Sequence, residues 1–498
     1  MTTPSRRQRG GTAATTTPRA SGPGGGEAAD ATTISTLTCP ACGAEPPPDA
    51  PHPFRCSNAD RGGDVDHIIA RRLDAVRLRF PEEGAPHPFV RYRALLHSYR
   101  TARAGGLRDA DYVAIVERLD RAIAEVDGRG FAVTPFEGHA ALGERLGFGE
   151  RGGVWVKDET GNVAGSHKAR HLMGVGLWLE VMERLGRAKR GAGGGPALAI
   201  ASCGNAALAA AVLARAMERP LRVFVPEDAD PRTLETLERL GATCEICARN
   251  TRAPGDPSMR RMREAVRGGL IPFTCQGSEN GLVIEGGETL AYEMASELTA
   301  RGAVLDRLFV QVGGGALASA CVQAFREAVA LGACPRLPAI HPVQTQRGSP
   351  LSRAYQRLSD RILRALGKTA GTEAERAVAL RTAWSSPIVR EALEYAARHR
   401  SEFMWPWEET PRSVASGILD DETYDWHAVV SGTIESGGWP LAVSEETLRE
   451  AHDLAREATG IRASHTGAAG LAGLLELRRR GAVAPGETVA VLFTGVEH

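Results

Sequence analysis

Four stretches of this chain carry side chains or backbone turns able to do chemistry, each at the end of an apolar run. Lys168 lies in Gly165-Ser166-His167-Lys168-Ala169-Arg170. A lysine held in a cleft loses solvation, gives up its proton and adds to a carbonyl as a free amine. Taken alone it is a surface lysine on a first helical turn. Ser202-Cys203-Gly204-Asn205 offers a hydroxyl, backbone N–H groups and an amide, which suit a carboxylate or a phenolic oxygen. Taken alone it is a helix N-cap. Gly313-Gly314-Gly315, followed by Ala316, lets the backbone turn its N–H groups inward at a helix start, an anion cradle sized for phosphate. It lacks G-x-G-x-x-G spacing and a G-K-[ST] ending, so it is neither a dinucleotide fingerprint nor a P-loop. Taken alone it is a tight turn. Thr494 places a hydroxyl at the end of the last apolar run.

Together these supply a reactive amine, a phosphate cradle, an amide and a hydroxyl. Pyridoxal phosphate needs that set: an amine for the Schiff base, donors for the phosphate, an amide for the ring oxygen and a partner for the ring nitrogen.

A separate cluster lies near the N-terminus. Cys39-Pro40-Ala41-Cys42-Gly43 is a C-x-x-C knuckle, followed by Cys56. With one of His67, His52 or Asp60 these three cysteines could complete a tetrahedral zinc site. The second knuckle lacks its second cysteine, so a degenerate ribbon that keeps its shape without metal is the alternative. Cys244-x-x-Cys247 falls in a strand, where its two side chains point to opposite faces and do no joint work.

The elements that position the four stretches alternate. Val154-Trp155-Val156-Lys157 reads as a strand ahead of Lys168, and Ala197 to Ala201 as a strand ahead of Ser202. Leu221 to Val225 and Thr243 to Cys247 read as further strands, with helices between. Glu285 to Ala300 reads as a helix, Leu308 to Val312 as a strand into the glycines, and Thr488 to Phe493 as the last strand. That alternation predicts parallel sheets with crossover helices, which place ligands at the strands' C-terminal ends. Helix-period apolar positions predict helices over His67–Leu73 and Asp109–Val116. A Gly-rich loop runs from Gly191 to Gly195. Residues 350–410 read as mostly helical, with Trp405 and Trp407 as packing anchors.

Length and composition bound the rest. The chain has 498 residues, too many for one core, and is 43% hydrophobic and 24% charged. Sixty basic residues balance sixty acidic ones, so nothing asks for nucleic acid or an anionic membrane. No apolar run approaches a membrane span. Residues 1–35 read as a disordered tail without a secretory h-region; a transit peptide is the alternative. Nine scattered cysteines fit a reducing, cytoplasmic setting.

The motifs resemble the threonine synthase branch of the pyridoxal-phosphate enzymes that share the tryptophan synthase β-subunit fold. The resemblance rests on Val156-Lys157-Asp158-Glu159 with Gly165 to Arg170, on Ser202 to Ala207, on Gly313 to Leu317, on Tyr424-Asp425-Trp426 with Glu435 to Gly438, and on Leu492 to Gly495. It spans most of residues 130–498, and Cys39-x-x-Cys42-Gly43 resembles a ribbon that precedes some threonine synthases. It implies an α/β, two-lobed open parallel-sheet fold with a small Cys-containing N-terminal ribbon. The implied units are a zinc-ribbon-like segment over 36–67 and a catalytic unit over 68–498. That unit has a mobile smaller lobe at about 193–297 and a helical insert at about 350–410. The resemblance implies that Lys168 carries the cofactor and moves protons, Asn205 bonds the ring oxygen, Gly313, Gly314, Gly315 and Ala316 hold the phosphate, and Thr494 meets the ring nitrogen. Ser202, Cys203 and Gly204 would meet the substrate. A neutral partner at the ring nitrogen suits elimination and replacement better than transamination. It also implies a homodimer.

Some positions depart from the pattern. His167 stands where phenylalanine is usual and is either a proton carrier or a packed spacer. Cys203 stands where serine is common, and Ser464-His465-Thr466-Gly467 replaces a segment often beginning Glu-Pro. The first functional expectation is a threonine synthase-like lyase that eliminates phosphate from O-phosphohomoserine and adds water. It requires a second phosphate pocket, for which Arg170 and Ser202 are candidates. The alternatives are a serine or threonine ammonia-lyase without a C-terminal regulatory domain, a β-replacement synthase, a non-catalytic cofactor-binding protein, and an unrelated nucleotide-binding α/β protein.

Overall fold

Twelve strands carry the architecture: β1 (Ser35–Thr38), β2 (Ala70–Leu73), β3 (Phe136–Gly138), β4 (Gly153–Asp158), β5 (Leu198–Ala201), β6 (Leu221–Pro226), β7 (Thr243–Cys247), β8 (Ile271–Pro272), β9 (Arg307–Gln311), β10 (Ala339–Thr345), β11 (Leu441–Val443) and β12 (Thr488–Phe493). The computed structural model describes residues 34–81, 84–189, 195–249, 255–369 and 371–497. Nearly all of the expected tail and most of the Gly191–Gly195 loop lie outside those residues.

Besides the antiparallel pair β1-β2, two larger sheets form, both built mainly from parallel strands as the alternation predicted. The larger has the order β11-β10-β9-β12-β4-β3, with only β3 antiparallel to its neighbour. The smaller has the order β7-β6-β5-β8, all parallel. Val489 to Phe493 are fully buried, as a strand covered on both faces must be. The register pairs Phe493 with Asp158 and Val491 with Phe309. The segments that follow β4, β9 and β12 therefore leave one edge of the large sheet side by side. Lys168, the three glycines and Thr494 are all carried on those segments.

Two helices join the sheets, Lys168–Arg184 and Val283–Ala300. Every side chain from Ala169 to Met182 is buried. The helices touch backbone to backbone where both lack a side chain. A Cβ at Gly174 would lie 2.9 Å from Gly286 Cα, and one at Gly286 would lie 2.1 Å from the Arg170 carbonyl oxygen. Even an alanine at Gly286 would push the helix that begins at Lys168.

Residues 350–410 are helical at Pro350–Ala365, Glu373–Thr382 and Pro387–Arg398. Leu351, Leu358, Ile362, Leu380 and Val389 join the core of the large sheet, each burial worth about 1.5–3 kcal/mol. Trp405 packs under the Arg353 guanidinium, 3.7 Å from the ring centre. The helix expected over His67–Leu73 is not formed. Residues 70–73 pair antiparallel with β1, Ser35 opposite Leu73. The inward residue is Arg71, ion-paired with buried Glu288 and Glu327, and inward arginine carries no hydrophobic signal. No helix among the described residues is long and apolar enough to cross a membrane.

Candidate functional site

Lys168 opens its helix from a turn built to fix it. Ala164 (φ 52°) and Gly165 (φ 64°) are both left-handed, a conformation that costs a non-glycine residue about 1–3 kcal/mol. The turn is held from several sides. Asn162 Oδ1 accepts from the Val163 N–H at 2.8 Å, and Asp127 Oδ2 accepts from the Ala164 N–H at 3.0 Å. The His167 N–H donates to the Thr494 carbonyl at 3.0 Å, and the Val496 N–H donates to the Gly165 carbonyl at 3.0 Å. The lysine turn is thus bolted to the end of β12. The buried His167 ring has Nδ1 3.1 Å from the Thr494 carbonyl, so Nδ1–H is the donor. Burial first, then the charge of Lys168, hold its basicity well below the usual imidazole range. The ring packs edge-on to His171, with centroids 5.7 Å apart.

Thr494 is buried, and its hydroxyl oxygen accepts from Gln311 Nε2 at 2.7 Å. The Thr494 proton is left for another acceptor. Gln311 Nε2 also donates to the Gly467 carbonyl at 2.7 Å, while its Oε1 has no partner. Ser166 Oγ, two residues before Lys168, is buried and unpartnered as well. Gln311 escaped the sequence reading, although a glutamine closing an apolar strand was a signal.

Asn205 begins the helix Asn205–Ala216 and reaches the same place from the small sheet. A Cβ at Gly495 would lie 2.8 Å from Asn205 Nδ2 and 3.1 Å from Ser166 Cβ, so only glycine at 495 admits both. The structure therefore brings together the turn before Lys168, Asn205 and the residues around Thr494. Ser202 Oγ accepts from the Gly204 N–H at 3.4 Å, and Cys203 is exposed at the tip of that turn.

The glycine loop is as crowded as a backbone cradle must be. A Cβ at Gly313 would lie 2.3 Å from Asp420 Oδ2, and one at Gly314 would lie 3.1 Å from Tyr424 Cδ2. Gly315 is left-handed (φ 100°) and caps the helix Ala316–Ala330, of which Ala316 is the buried first residue. The Asp425 N–H donates to the Gly314 carbonyl at 2.9 Å, and the Asp425 carboxylate accepts from the Gly277 N–H at 3.2 Å. Burial pushes Asp420 up to about 6 and Asp425 up to about 7, each opposed by the charge of Lys168. Asp420 lies in none of the four stretches, because an isolated aspartate in a loop has no local signature.

Arg170 is not available to a ligand. It is fully buried and forks onto Glu159 (2.8 Å) and Glu293 (2.6 Å). Beyond Tyr424 lies a cavity of about 240 Å³ lined by Arg260, Arg263 and Arg267, which share one helix face. The Arg263 guanidinium stands 5.9 Å from the Tyr424 ring centre. The acids of that cavity are engaged elsewhere: Asp256 caps the Ser258 N–H, Asp421 meets Arg249 and Glu422 meets Arg400. Arg260 and Arg267 pair with no carboxylate among the described residues.

The ligand atoms of Cys39, Cys42, Cys56 and His67 all lie within 4.8 Å of one another. Cys42 and Cys56 sulfurs are 3.6 Å apart, and Cys39 Sγ is 3.7 Å from His67 Nδ1. His67 is thus the fourth member of the cluster. His52 packs on Phe54 and Asp60 pairs with Arg55. Cys244 and Cys247 face different cores across β7.

The sequence pattern described as pyridoxal-phosphate dependent enzyme matches residues 129–495. The chain is 25% identical to the threonine synthase of Methanosarcina acetivorans over 366 residues, 73% of this chain and 74% of that protein. It is 30% identical to a serine dehydratase-like protein of Rattus norvegicus over 178 residues, 35% of this chain and 47% of the other. Among solved structures, a threonine deaminase from T.th. shares the fold with a TM-score of 0.51 at 20% identity, covering 77% of this chain and 98% of that one.

Proposed function

The chain belongs to the pyridoxal-phosphate dependent enzyme family, and we propose that it is a threonine synthase-like lyase that eliminates phosphate from O-phosphohomoserine and adds water. The residues present fit the cofactor. A glycine cradle, two orphaned buried oxygens (Ser166 Oγ and Gln311 Oε1) and a Thr494 proton free to be donated support this fit. Bound there, the cofactor supplies an electron sink for carbanion chemistry. In this reading Lys168 anchors it and then holds and returns the proton at the substrate's carbon atoms. Asn205 orients the ring through its oxygen. Gly313, Gly314, Gly315 and Ala316 fix the phosphate, and Thr494 donates to the ring nitrogen and keeps it uncharged. Ser202, Cys203 and Gly204 orient the substrate's carboxylate.

The observation that carries the phosphorylated substrate is the cavity beside Tyr424, where Arg260 and Arg267 can take a second phosphate while Arg263 is held by Glu279 at 2.7 Å. A second reading, a serine or threonine ammonia-lyase, is favoured by the Asp420 and Asp425 carboxyl groups packed against the glycine loop, which would repel a second phosphate when ionised. Product analysis separates the two. Phosphate and threonine released from O-phosphohomoserine, with KM raised at least tenfold in Arg260→Ala/Arg267→Ala, support the first. Keto acid from threonine or serine, with no phosphate release, overturns it.

We further propose that Cys39, Cys42, Cys56 and His67 hold a structural zinc. We also propose a reducing compartment such as the cytoplasm, on the odd and scattered set of nine cysteines.

A further inference from the structure

The glycine loop is covered by a strap that this mechanism leaves without a task. Its turn Ser416–Ile418 is latched to the segment before β12, where the Gly417 N–H donates to Thr466 Oγ1 at 3.0 Å. Its far end is held by the Trp407 N–H, which donates to the Asp421 carbonyl at 2.8 Å. Between these ties the strap runs over the loop: Ile418 Cα would be 3.0 Å from a Cβ at Gly313, and Asp420 Oδ2 only 2.3 Å from it. The same oxygen would be 3.7 Å from a Cβ at Gly314. The Gly314 N–H and the Lys168 ammonium both favour the ionised Asp420 carboxylate, against burial. A carboxyl oxygen therefore stands against the glycine loop, at the Gly314 N–H.

Asp425 is close by but is a different case. Its carboxylate has its own donor in the Gly277 N–H, and a Cβ at Gly277 would lie 2.0 Å from its Oδ1. It is wedged in place. Asp420 rests on the strap, which is held by the two hydrogen bonds above, by the Arg249–Asp421 ion pair and by buried Ile418.

We propose that Asp420 is the internal occupant of the phosphate cradle. In the cofactor-free protein its carboxylate takes the site that the cofactor's phosphate takes in the loaded protein. Uptake is then an exchange of one anion for another, and the 416–421 strap lifts to allow it. Two anions cannot share a single set of backbone donors without strong like-charge repulsion. The inference rests on the cofactor reading of Gly313, Gly314 and Gly315.

The test is cofactor uptake by cofactor-free protein, followed by absorbance, with pyridoxal phosphate and with phosphate-free pyridoxal as probes. Asp420→Asn should bind pyridoxal phosphate at least tenfold more tightly than the parent and take it up faster, with its affinity for pyridoxal unchanged. Thr466→Val keeps the carboxylate but removes the latch, and should speed uptake of pyridoxal phosphate. This second variant keeps the test open if Asp420→Asn does not fold. Equal affinity and equal uptake rates for pyridoxal phosphate in the parent and the variants overturn the role of Asp420 and leave the cofactor reading standing. An equal gain for pyridoxal in Asp420→Asn also overturns it. Failure of every protein to bind pyridoxal phosphate overturns both.

Discussion

Replacing Arg170 with methionine should destabilise the protein severely without acting through substrate. The guanidinium makes two bonds to Glu159 (2.8 and 3.0 Å) and two to Glu293 (2.6 and 3.0 Å). It also donates to Thr289 Oγ1 and Thr134 Oγ1, both at 3.1 Å. All four of the charged groups here, Lys157 included, are buried. Arg170→Met leaves two buried carboxylates sharing only the Lys157 ammonium. Breaking a buried ion pair by deleting one partner costs about 3–5 kcal/mol, because the survivor keeps its desolvation penalty. Two survivors put the expected loss in the upper part of that range. Arg170→Lys should recover little, since an ammonium cannot fork onto two carboxylates. Urea unfolding followed by tryptophan fluorescence reads the loss as a lower midpoint at unchanged slope. An arginine that instead bound substrate phosphate would show a raised KM and the parent's unfolding midpoint. That outcome would refute the assignment of Arg170 to the scaffold.

Burial pushes Glu285 up to about 7 and Glu288 up to about 8 beside Arg71 and Glu327. The folded protein thus holds protons that the unfolded chain has already given up, and this stability is lost as pH rises through those values. Buried His97, His171 and His341, held down to about 3 by desolvation, act in the opposite sense, but only below the ordinary imidazole value. Between pH 6.5 and 8 stability should therefore fall, by up to about 1.4 kcal/mol per pH unit for each proton released, and Glu288→Gln should flatten the slope. A stability that rises across this window contradicts the assignment. Metal analysis of purified protein should find one zinc per chain. Cys42→Ser should lose it and unfold at lower temperature, whereas a metal-free parent of undiminished stability would identify a degenerate ribbon.

The strands at the site were legible because each is a short apolar run ending in a turn. β7 and β12 lie where the pattern places them, and β5, β6 and β9 within a residue or so. The helix Glu445–Thr459 closes at left-handed Gly460, the stop a glycine there signals. What failed was local reading of residues whose role is set at a distance. Arg71 looked like a helical surface residue, yet it points inward to carboxylates more than 200 positions away (|i−j| 217 and 256). Arg170 looked available to a phosphate, and its partners Glu159 and Glu293 come from two other elements. Asp420 reaches the glycine loop from a distant part of the chain. His67 became the fourth member of the cysteine cluster through the fold of the ribbon, since spacing left His52 and Asp60 equally eligible.

The most direct measurement is the visible spectrum of the protein supplied with pyridoxal phosphate, taken beside Lys168→Ala. The parent should show the absorption band of a lysine-bound cofactor, and borohydride reduction should leave the label on Lys168. The variant should show no such band. A band that survives in Lys168→Ala, or its absence from the parent, would contradict the assignment of Lys168 as the cofactor's anchor.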